Sequence, residues 1–423
     1  MEIISAIDLF KINQAILKKI DKDLVNHGEE TAYIAYKIAK ELGYSNDKIE
    51  QIIRVSILHD IGAYKTEEIK NLKKFEVSNT GRHSIYGYII LNNSKIFKEM
   101  SDAVLYHHHP YKKKDKFVKG MKVPQEAFLI GLADRVSIFC TLLNYDEKRI
   151  INNLQRLNKS LFKPSHIDAL FRLIKKEGLI NDIGNSTYKL KLNKKLESIK
   201  INLDNAKKYL IFLPLSIDFF SFETSIHTVS VSSIAKKICE KMNLSEEYKN
   251  KIEIGAYLHD LGKVCTPKYI LEKEGKLTKD EFEIIKQHAV YSRYILEEAS
   301  INKELIDLAC NHHEKLDGSG YPRGLKEEEL SIGDKIISIS DIFCALTEKR
   351  IYKNPFSKDE VLSILYNMSN SNHIDKNLVK IVDKNYEEFL ECIIKNRNGY
   401  EKILNDMVKT YHYIASEMDS LCI

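Results

Sequence analysis

Helix-breaking residues are scarce in this sequence, with 17 glycines and 7 prolines in 423 residues. That leaves little room for a turn-rich β fold. Apolar residues recur instead at helical spacing, as in Ile34, Ile38 and Leu42 or Ile234, Ile238 and Met242, so an all-α fold is expected. The seven cysteines, Cys140, Cys239, Cys265, Cys310, Cys344, Cys392 and Cys422, are scattered and contain no Cys-x-x-Cys pair. Their spacing excludes a disulfide framework and a zinc ribbon and fits a reducing, cytoplasmic location. Neither charge dominates: 65 basic residues face 60 acidic ones, which excludes a strongly basic nucleic-acid scaffold, and no duplex nucleic acid is expected as a partner. Long hydrophobic runs are also missing. The most apolar stretch, "YLIFLPLSIDFFSF" at 209–222, contains Asp218 and falls short of the roughly 20 residues that span a bilayer, so it reads as a buried connector. The first twenty residues carry Asp8 and Lys11 within an apolar pattern and no signal-peptide cleavage site, and read as an amphipathic helix. No membrane association is expected.

What the sequence has is a duplication written in histidines. "HGEETAYIAYKIAKELGY" from His27 lies 200 residues before "HTVSVSSIAKKICEKMNL" from His227, and "ILHDIG" places His59 and Asp60 200 residues before His259 and Asp260 of "YLHDLG". Both halves keep a 32-residue step between those histidines. His83 of "GRHSIYG" then matches His288 of "KQHAVYS". Twenty-four residues beyond each comes a pair, His107-His108 and His312-His313. Asp134 of "GLADRVSIF" aligns with Asp341 of "SISDIFCAL", and Asp23 and Glu223 each stand four residues before the first histidine. "FKPSHIDALFRLI" resembles "HIDKNLVKIVDKN", giving repeats of about 150 residues. Ten of the 14 histidines occupy repeated positions. Isolated histidines are usually ordinary core or surface residues, and His166, His373 and His412 are read that way.

Imidazole and carboxylate donors without thiolates suit iron, manganese or zinc. Five histidines with Asp260, Asp341 and Glu223 exceed what one ion needs, so two or three metals with bridging carboxylates are implied. Adjacent His259 and Asp260 would point about 100° apart on a regular helix. Both serve one cluster only if the Asp lies between ions or the helix ends there, and Gly262 is read as supplying that end. Two close ions clamp a phosphoryl group and acidify a bound water. Phosphate-ester hydrolysis is the natural use, with Lys263, Arg350 and Lys353 as phosphate contacts, although a lone surface cation is more often just solvated.

These residues resemble the HD-GYP phosphodiesterases, a branch of the HD metal-dependent phosphohydrolase superfamily. The resemblance covers about 218–385 through "HDLGK", "GKLTKDEFEIIKQH", "HHEKLDGSGYPRGL" and "SDIFCALTEKRIYK". It implies a helical-bundle domain that hydrolyses c-di-GMP to pGpG and then GMP at a bi- or trinuclear iron or manganese centre. The implied metal ligands are Glu223, His227, His259, Asp260, His288, His312, His313 and Asp341. Asp260 and Lys263 are the implied catalytic residues, and Lys263, Arg350, Lys353, Gly320, Tyr321 and Pro322 the substrate contacts. The "DGSGYP" glycines permit unusual backbone conformations and Pro322 stiffens the exit. One departure stands out: the family usually writes Asp-x-x-Asp-Ala-Leu-Thr, and here Cys344 takes the second acidic position, which points to an effect on the surroundings of the ligands.

The first half resembles an HD domain that keeps the donor set Asp23, His27, His59, Asp60, His83, His107, His108 and Asp134 as a second candidate metal site. Its substrate residues differ. Ala63 replaces Lys263, "HHHPYKKKD" replaces the glycine loop, and Leu143 replaces Arg350. Three readings stay open: a metal-loaded regulatory domain, a second active site, and a copy kept for packing. The expected division is 1–180 for the first domain, 181–215 for a polar linker and connecting helix, 216–385 for the HD-GYP domain and 386–423 for closing helices. A cyclic dinucleotide, c-di-GMP before cyclic GMP-AMP, is the expected substrate. A nucleotidase acting on dNTPs or (p)ppGpp is disfavoured by the "GYP" loop, and a non-catalytic dinucleotide-binding effector is the rival from another class. A diguanylate cyclase or another signalling protein is a further partner class, and a homodimer is compatible with the sequence.

Overall fold

The computed structural model describes residues 3–20, 22–65, 81–94, 96–217, 222–271, 273–348 and 355–421. As expected, they are α-helical almost throughout, and the β feature among them is one isolated antiparallel bridge between Asp317 and Lys326. The first helices are α1 (Ala6–Ile20), α2 (Lys22–Glu41), α3 (Asn46–Ile57), α4 (Gly81–Asn92), α5 (Ser101–Leu105), α6 (Gln125–Leu142), α7 (Glu147–Leu161), α8 (Pro164–Glu177), α9 (Leu179–Gly184) and α10 (Thr187–Glu197). Next come α11 (Leu203–Ile217), α12 (Phe222–Lys241), α13 (Glu246–Leu258), α14 (Lys268–Leu271), α15 (Lys279–Glu298), α16 (Lys303–Cys310), α17 (Ile332–Thr347), α18 (Lys358–Asn370), α19 (Lys376–Lys384) and α20 (Tyr386–Leu421).

The chain divides into two compact units. The first holds Asp21–Ile201 and Ile403–Ile423, the second Met1–Ile20 and Asn202–Lys402. The same packing recurs in each. In the first unit α2 lies against α3 and α6, while α4 lies against α5 and a 3-10 turn at Ile61–Lys65. In the second, α12 lies against α13 and α17, while α15 lies against α16 and a 3-10 turn at Leu261–Cys265. The apolar stripes read from the sequence are the packing faces: Ile34, Ala35 and Ile38 of α2 and Ile234, Ala235 and Ile238 of α12 are all fully buried. Even the helix ends repeat. Ser45 and Ser245 accept from the amides of Lys48 and Tyr248. Past α2 and α12, Gly43 and Asn243 take the left-handed conformation, at φ of 76° and 54°.

The termini are exchanged between the units. The amphipathic helix α1 buries Leu9, Phe10, Ile12, Ala15 and Ile16 and packs on α15 and the Leu261–Cys265 turn of the second unit, with Lys19 Nζ 3.8 Å from the Tyr294 ring centroid. At the other end α20 starts in the second unit, where Phe389 is fully buried and Lys237 and Lys241 pair with Glu388. It finishes in the first, where Tyr411 stacks on Tyr86 at 4.6 Å and the Glu417 carboxylate accepts from the Lys119 amide at 3.3 Å. The stretch read as a polar linker is helical for most of its length, in α9, α10 and α11.

Gly262 does not end α13 as a left-handed cap. That helix stops at Leu258 and Gly262 is not among the positive-φ glycines. What requires glycine is close approach: a Cβ at Gly262 would meet the His288 carbonyl oxygen at 1.9 Å, and one at Gly62 the His83 oxygen at 2.0 Å. The turn carrying His259 and Asp260 thus rests backbone to backbone on the helix carrying His288. Ser292 locks the contact, accepting from the Gly262 amide at 2.8 Å and donating to the His259 carbonyl at 3.1 Å. Gly262→Ala should cost more than the roughly 1–3 kcal/mol usual for overpacking. Gly43→Ala, with nothing within 4 Å, should cost only left-handed strain of about 1–2 kcal/mol. Thermal melts giving equal losses would contradict this account.

Candidate metal centres

In the second unit, His227 comes from α12, His259 and Asp260 from the turn after α13, His288 from α15, His312 and His313 from the turn after α16, and Asp341 from α17. Local hydrogen bonds aim the rings. His259, His288 and His312 each donate Nδ1–H to the carbonyl three residues back, Ala256, Ile285 and Ala309, at 2.7, 2.6 and 3.0 Å. A carbonyl only accepts, so Nε2 is left as the lone-pair atom, and these nitrogens face one another. His288 Nε2 and His312 Nε2 lie 3.3 Å apart. Asp260 sits between the groups, with Oδ2 3.1 Å from His259 Nε2 and Oδ1 3.4 Å from His288 Nε2. Asp341 Oδ1 is 2.9 Å from His227 Nε2 and its Oδ2 3.8 Å from His313 Nδ1. Three overlapping triplets, His227/His259/Asp341, His259/Asp260/His312 and His288/His312/His313, each bring their donor atoms within 4.8 Å of one another.

The first unit repeats this arrangement. His59 and His107 donate Nδ1–H to the Ser56 and Val104 carbonyls at 2.7 and 2.6 Å. His27 Nε2 is 3.1 Å from Asp134 Oδ1, Asp60 Oδ2 is 3.4 Å from His59 Nε2, and His83 Nε2 is 3.0 Å from His108 Nε2. Asp60, His83, His107 and His108 form one donor group and His27, His59 and Asp60 another. Ala63, where the second unit has Lys263, is fully buried.

Both sets fit divalent ions. Buried polar atoms are nearly always hydrogen-bonded, yet His259 Nε2, His59 Nε2, His107 Nε2, Asp60 Oδ1 and Asp134 Oδ2 are buried without a hydrogen-bond partner, all turned into these clusters. Imidazole and carboxylate donors without thiolates suit borderline to hard metals.

Electrostatics separates the histidines. Burial would push the Asp260 carboxyl up, but His259 and Lys263 outweigh it and hold it well below the usual carboxylate range; His227 does the same for Asp341. Burial drives His312 far below its ordinary value and His313 down to about 4. His227 goes the other way: burial opposes its charge, but Glu348 and Asp341 raise it to about 9, and Asp60 and Asp134 raise His59 likewise to about 9. A metal ion entering either site displaces the proton these histidines hold at neutral pH. Mn²⁺ binding to the metal-free chain should therefore release protons at pH 7 and tighten as pH rises toward 9. Titrations in two buffers of different ionisation enthalpy check this, and an absence of proton release would contradict it.

The other expected residues are placed unevenly. Lys263 pairs with Asp260. Tyr321 lies over His313, ring centroids 4.7 Å apart, and donates its amide to the His313 carbonyl at 3.2 Å. Gly318 takes φ of 81°, and a Cβ at Gly320 would meet the Lys315 amide nitrogen at 2.4 Å, so each needs glycine for a different reason. Pro322 follows a cis peptide bond. Arg350 and Lys353 lie outside the described residues, as do the side chains of Asp23 and Glu223. His166 is a buried core residue, and burial lowers its pKa to about 4.

Sequence reasoning passed over Glu314, although it sits within "HHEKLDGSGYP". Its buried carboxylate accepts from the amides of Arg323 at 2.7 Å and Leu325 at 2.9 Å, holding the glycine loop to the histidine pair. Glu314→Ala strands both amides and should cost about 1–3 kcal/mol for the buried Leu325 donor left unpaired, with less for the partly exposed Arg323 amide. A melting temperature equal to wild type would show that the loop is held otherwise.

Residues 24–138 and 215–378 each match the HD domain family. The 3′3′-cGAMP-specific phosphodiesterase 1 of Vibrio cholerae is 28% identical over 393 residues, 89% of this chain and 91% of that protein. A cyclic di-GMP phosphodiesterase of Thermotoga maritima is 40% identical over 162 residues, 38% of this chain and 44% of that one. A crystal structure of a cyclic GMP-AMP-specific phosphodiesterase of Vibrio cholerae shares the fold, with a TM-score of 0.53 over 92% of this chain and 98% of that chain at 16% identity. With both histidine clusters built alike and the glycine loop present at one of them, the chain belongs to the HD-GYP branch of the HD domain family and carries a second, divergent HD domain ahead of it.

Proposed function

We propose that the second HD domain is a phosphodiesterase that opens a cyclic dinucleotide, with c-di-GMP as the first substrate. The observation that carries this reading is the convergence of His227, His259, Asp260, His288, His312, His313 and Asp341 on one buried space beside the loop that ends in Tyr321 and Pro322. The 40% identity to a c-di-GMP phosphodiesterase over 162 residues supports c-di-GMP. A specific observation favours 3′3′-cGAMP as the second reading: the relative matched across both domains is named for it.

Two or three divalent ions, iron or manganese, would be held by these seven residues with Glu223, and would activate water and stabilise charge on the phosphoryl group. The chain's own residues do the rest. Asp260, with one oxygen toward His259 and the other toward His288, lies between the two donor groups and would offer an oxygen to each. Lys263 is the cation nearest to it and is free to exchange Asp260 for a phosphate oxygen once that carboxylate serves the metals. Tyr321 gives the substrate a flat surface above His313, and Glu314 fixes the loop that presents it. Arg350 and Lys353 are proposed to hold a second phosphate. In the first domain the retained donors without a counterpart of Lys263 favour a metal-holding regulatory role over catalysis.

Chromatography of the products formed from c-di-GMP and 3′3′-cGAMP tests this. Wild type should yield linear dinucleotide or mononucleotide. His259→Ala/Asp260→Ala should lose about three orders of magnitude in rate, the scale of several kcal/mol of transition-state stabilisation. His59→Ala/Asp60→Ala should change the rate without abolishing it. Undiminished turnover in the first double variant would refute the site. A wild-type chain that binds metal and cleaves neither substrate would hand the function to a non-catalytic dinucleotide-binding effector.

A further inference from the structure

The two sites differ behind the histidine that opens each of them. In the first domain His27 Nδ1 lies 3.0 Å from Ser137 Oγ, and Ser137 donates onward to Glu30 Oε2 at 2.7 Å. Because the serine proton goes to the carboxylate, His27 donates Nδ1–H to Ser137 and keeps Nε2 for the cluster. Ser137 stands three residues after Asp134, and Glu30 three after His27. The matching positions in the second domain are Cys344 and Ser230, neither of which can supply a carboxylate. Ser230 is fully buried and its hydroxyl has no partner.

The carboxylate is restored from elsewhere. Glu348, seven residues after Asp341 and so on the same helical face two turns on, places Oε2 2.8 Å from His227 Nδ1. The residue is 5% exposed, and its other oxygen, Oε1, is buried without a hydrogen-bond partner. A carboxylate is costly to bury, and Glu348 has its His227 bond as the compensation the structure records. Thr141, the corresponding residue of the first domain, is exposed. Each domain therefore backs its first histidine with a carboxylate: through a serine relay from the helix of the histidine in one, and directly from the end of the aspartate helix in the other.

We infer that Glu348 is the positioning residue of the second-domain centre, fixing His227 with Nδ1 protonated and Nε2 presented to the metal, and that Ser137 with Glu30 does the same for His27 in the first domain. This rests on the reading of the two clusters as metal centres. Partners of this kind set ligand tautomer and orientation, and losing one typically costs 10–100-fold in metal affinity.

The full chain, stripped of metal, is titrated anaerobically with Mn²⁺ alone, following the free ion by electron paramagnetic resonance, alongside thermal melts of the metal-free proteins. Glu348→Gln, which keeps the shape and loses the charge, should weaken one class of sites by about 10–100-fold. Ser137→Ala should weaken the other class. The position of Ser137, within hydrogen-bond reach of its histidine, indicates that a carboxylate at 344 can reach His227, so Glu348→Gln/Cys344→Asp should recover most of the lost affinity. Should Glu348→Gln not fold, Glu348→Asp, one methylene shorter, gives the same reading as a smaller loss. Unchanged Mn²⁺ binding in Glu348→Gln would overturn the inference. So would a loss that Cys344→Asp cannot restore, since that would mark a packing role. A wild-type chain that takes up no Mn²⁺ would instead overturn the metal reading itself, which keeps the two failures apart.

Discussion

The hydrogen bond from a histidine Nδ1–H to the carbonyl three residues earlier governs both centres. It is made by His59, His107, His259, His288 and His312. An imidazole held this way keeps its Nδ1 proton and one orientation, so its Nε2 is aimed into the cluster before any ion arrives. The bond needs a helix or tight turn directly ahead of the ring, which explains why these histidines sit in helices or just past helix ends. Each cluster also needs the His-Asp turn to lie close to the helix bearing His83 or His288, and Gly62 and Gly262 are there because nothing larger fits between the two backbones.

Much of this was legible in the sequence because a duplication preserves what geometry requires and lets the rest drift. Paired histidines and aspartates at a constant offset pointed to two clusters, and the structure brings each set together. Ile34 and Ile38, like Ile234 and Ile238, face their cores as their spacing indicates. What could not be read were contacts between residues far apart in the chain. Gly262 looked like a helix terminator because close backbone approach leaves no mark on the glycine itself. Nothing in the sequence marks Glu348, since its partner His227 is 121 positions away. The exchange of α1 and the end of α20 between the units has the same origin: an amphipathic stripe says that a helix is covered, and not by what.

Cys344 shows how a departure from pattern becomes intelligible. At the sequence level it was a lost acidic position with an unspecified effect on the ligand surroundings. In the structure the carboxylate facing His227 Nδ1 comes from one turn further along the same helical face, while the first domain uses a hydroxyl at the matching place and draws its carboxylate from Glu30. Holding a ligand histidine in one tautomer can thus be met from several positions, which lets the surroundings diverge while the donors stay. The difference between Lys263 and Ala63 is of another kind: the side chain that pairs with Asp260 in the second domain is a methyl group in the first, where the cation acting on the cluster is Arg135, beside Asp134.

The central claim is that these clusters are metal centres. Crystals grown anaerobically from protein loaded with Mn²⁺ or Fe²⁺, with anomalous diffraction collected at the edge of the metal, test it most directly. The account predicts anomalous density at two or more positions among His227, His259, Asp260, His288, His312, His313 and Asp341. It also predicts density among His27, His59, Asp60, His83, His107, His108 and Asp134. A second domain with no anomalous density among its histidines, in protein shown to be folded and metal-loaded, would contradict it.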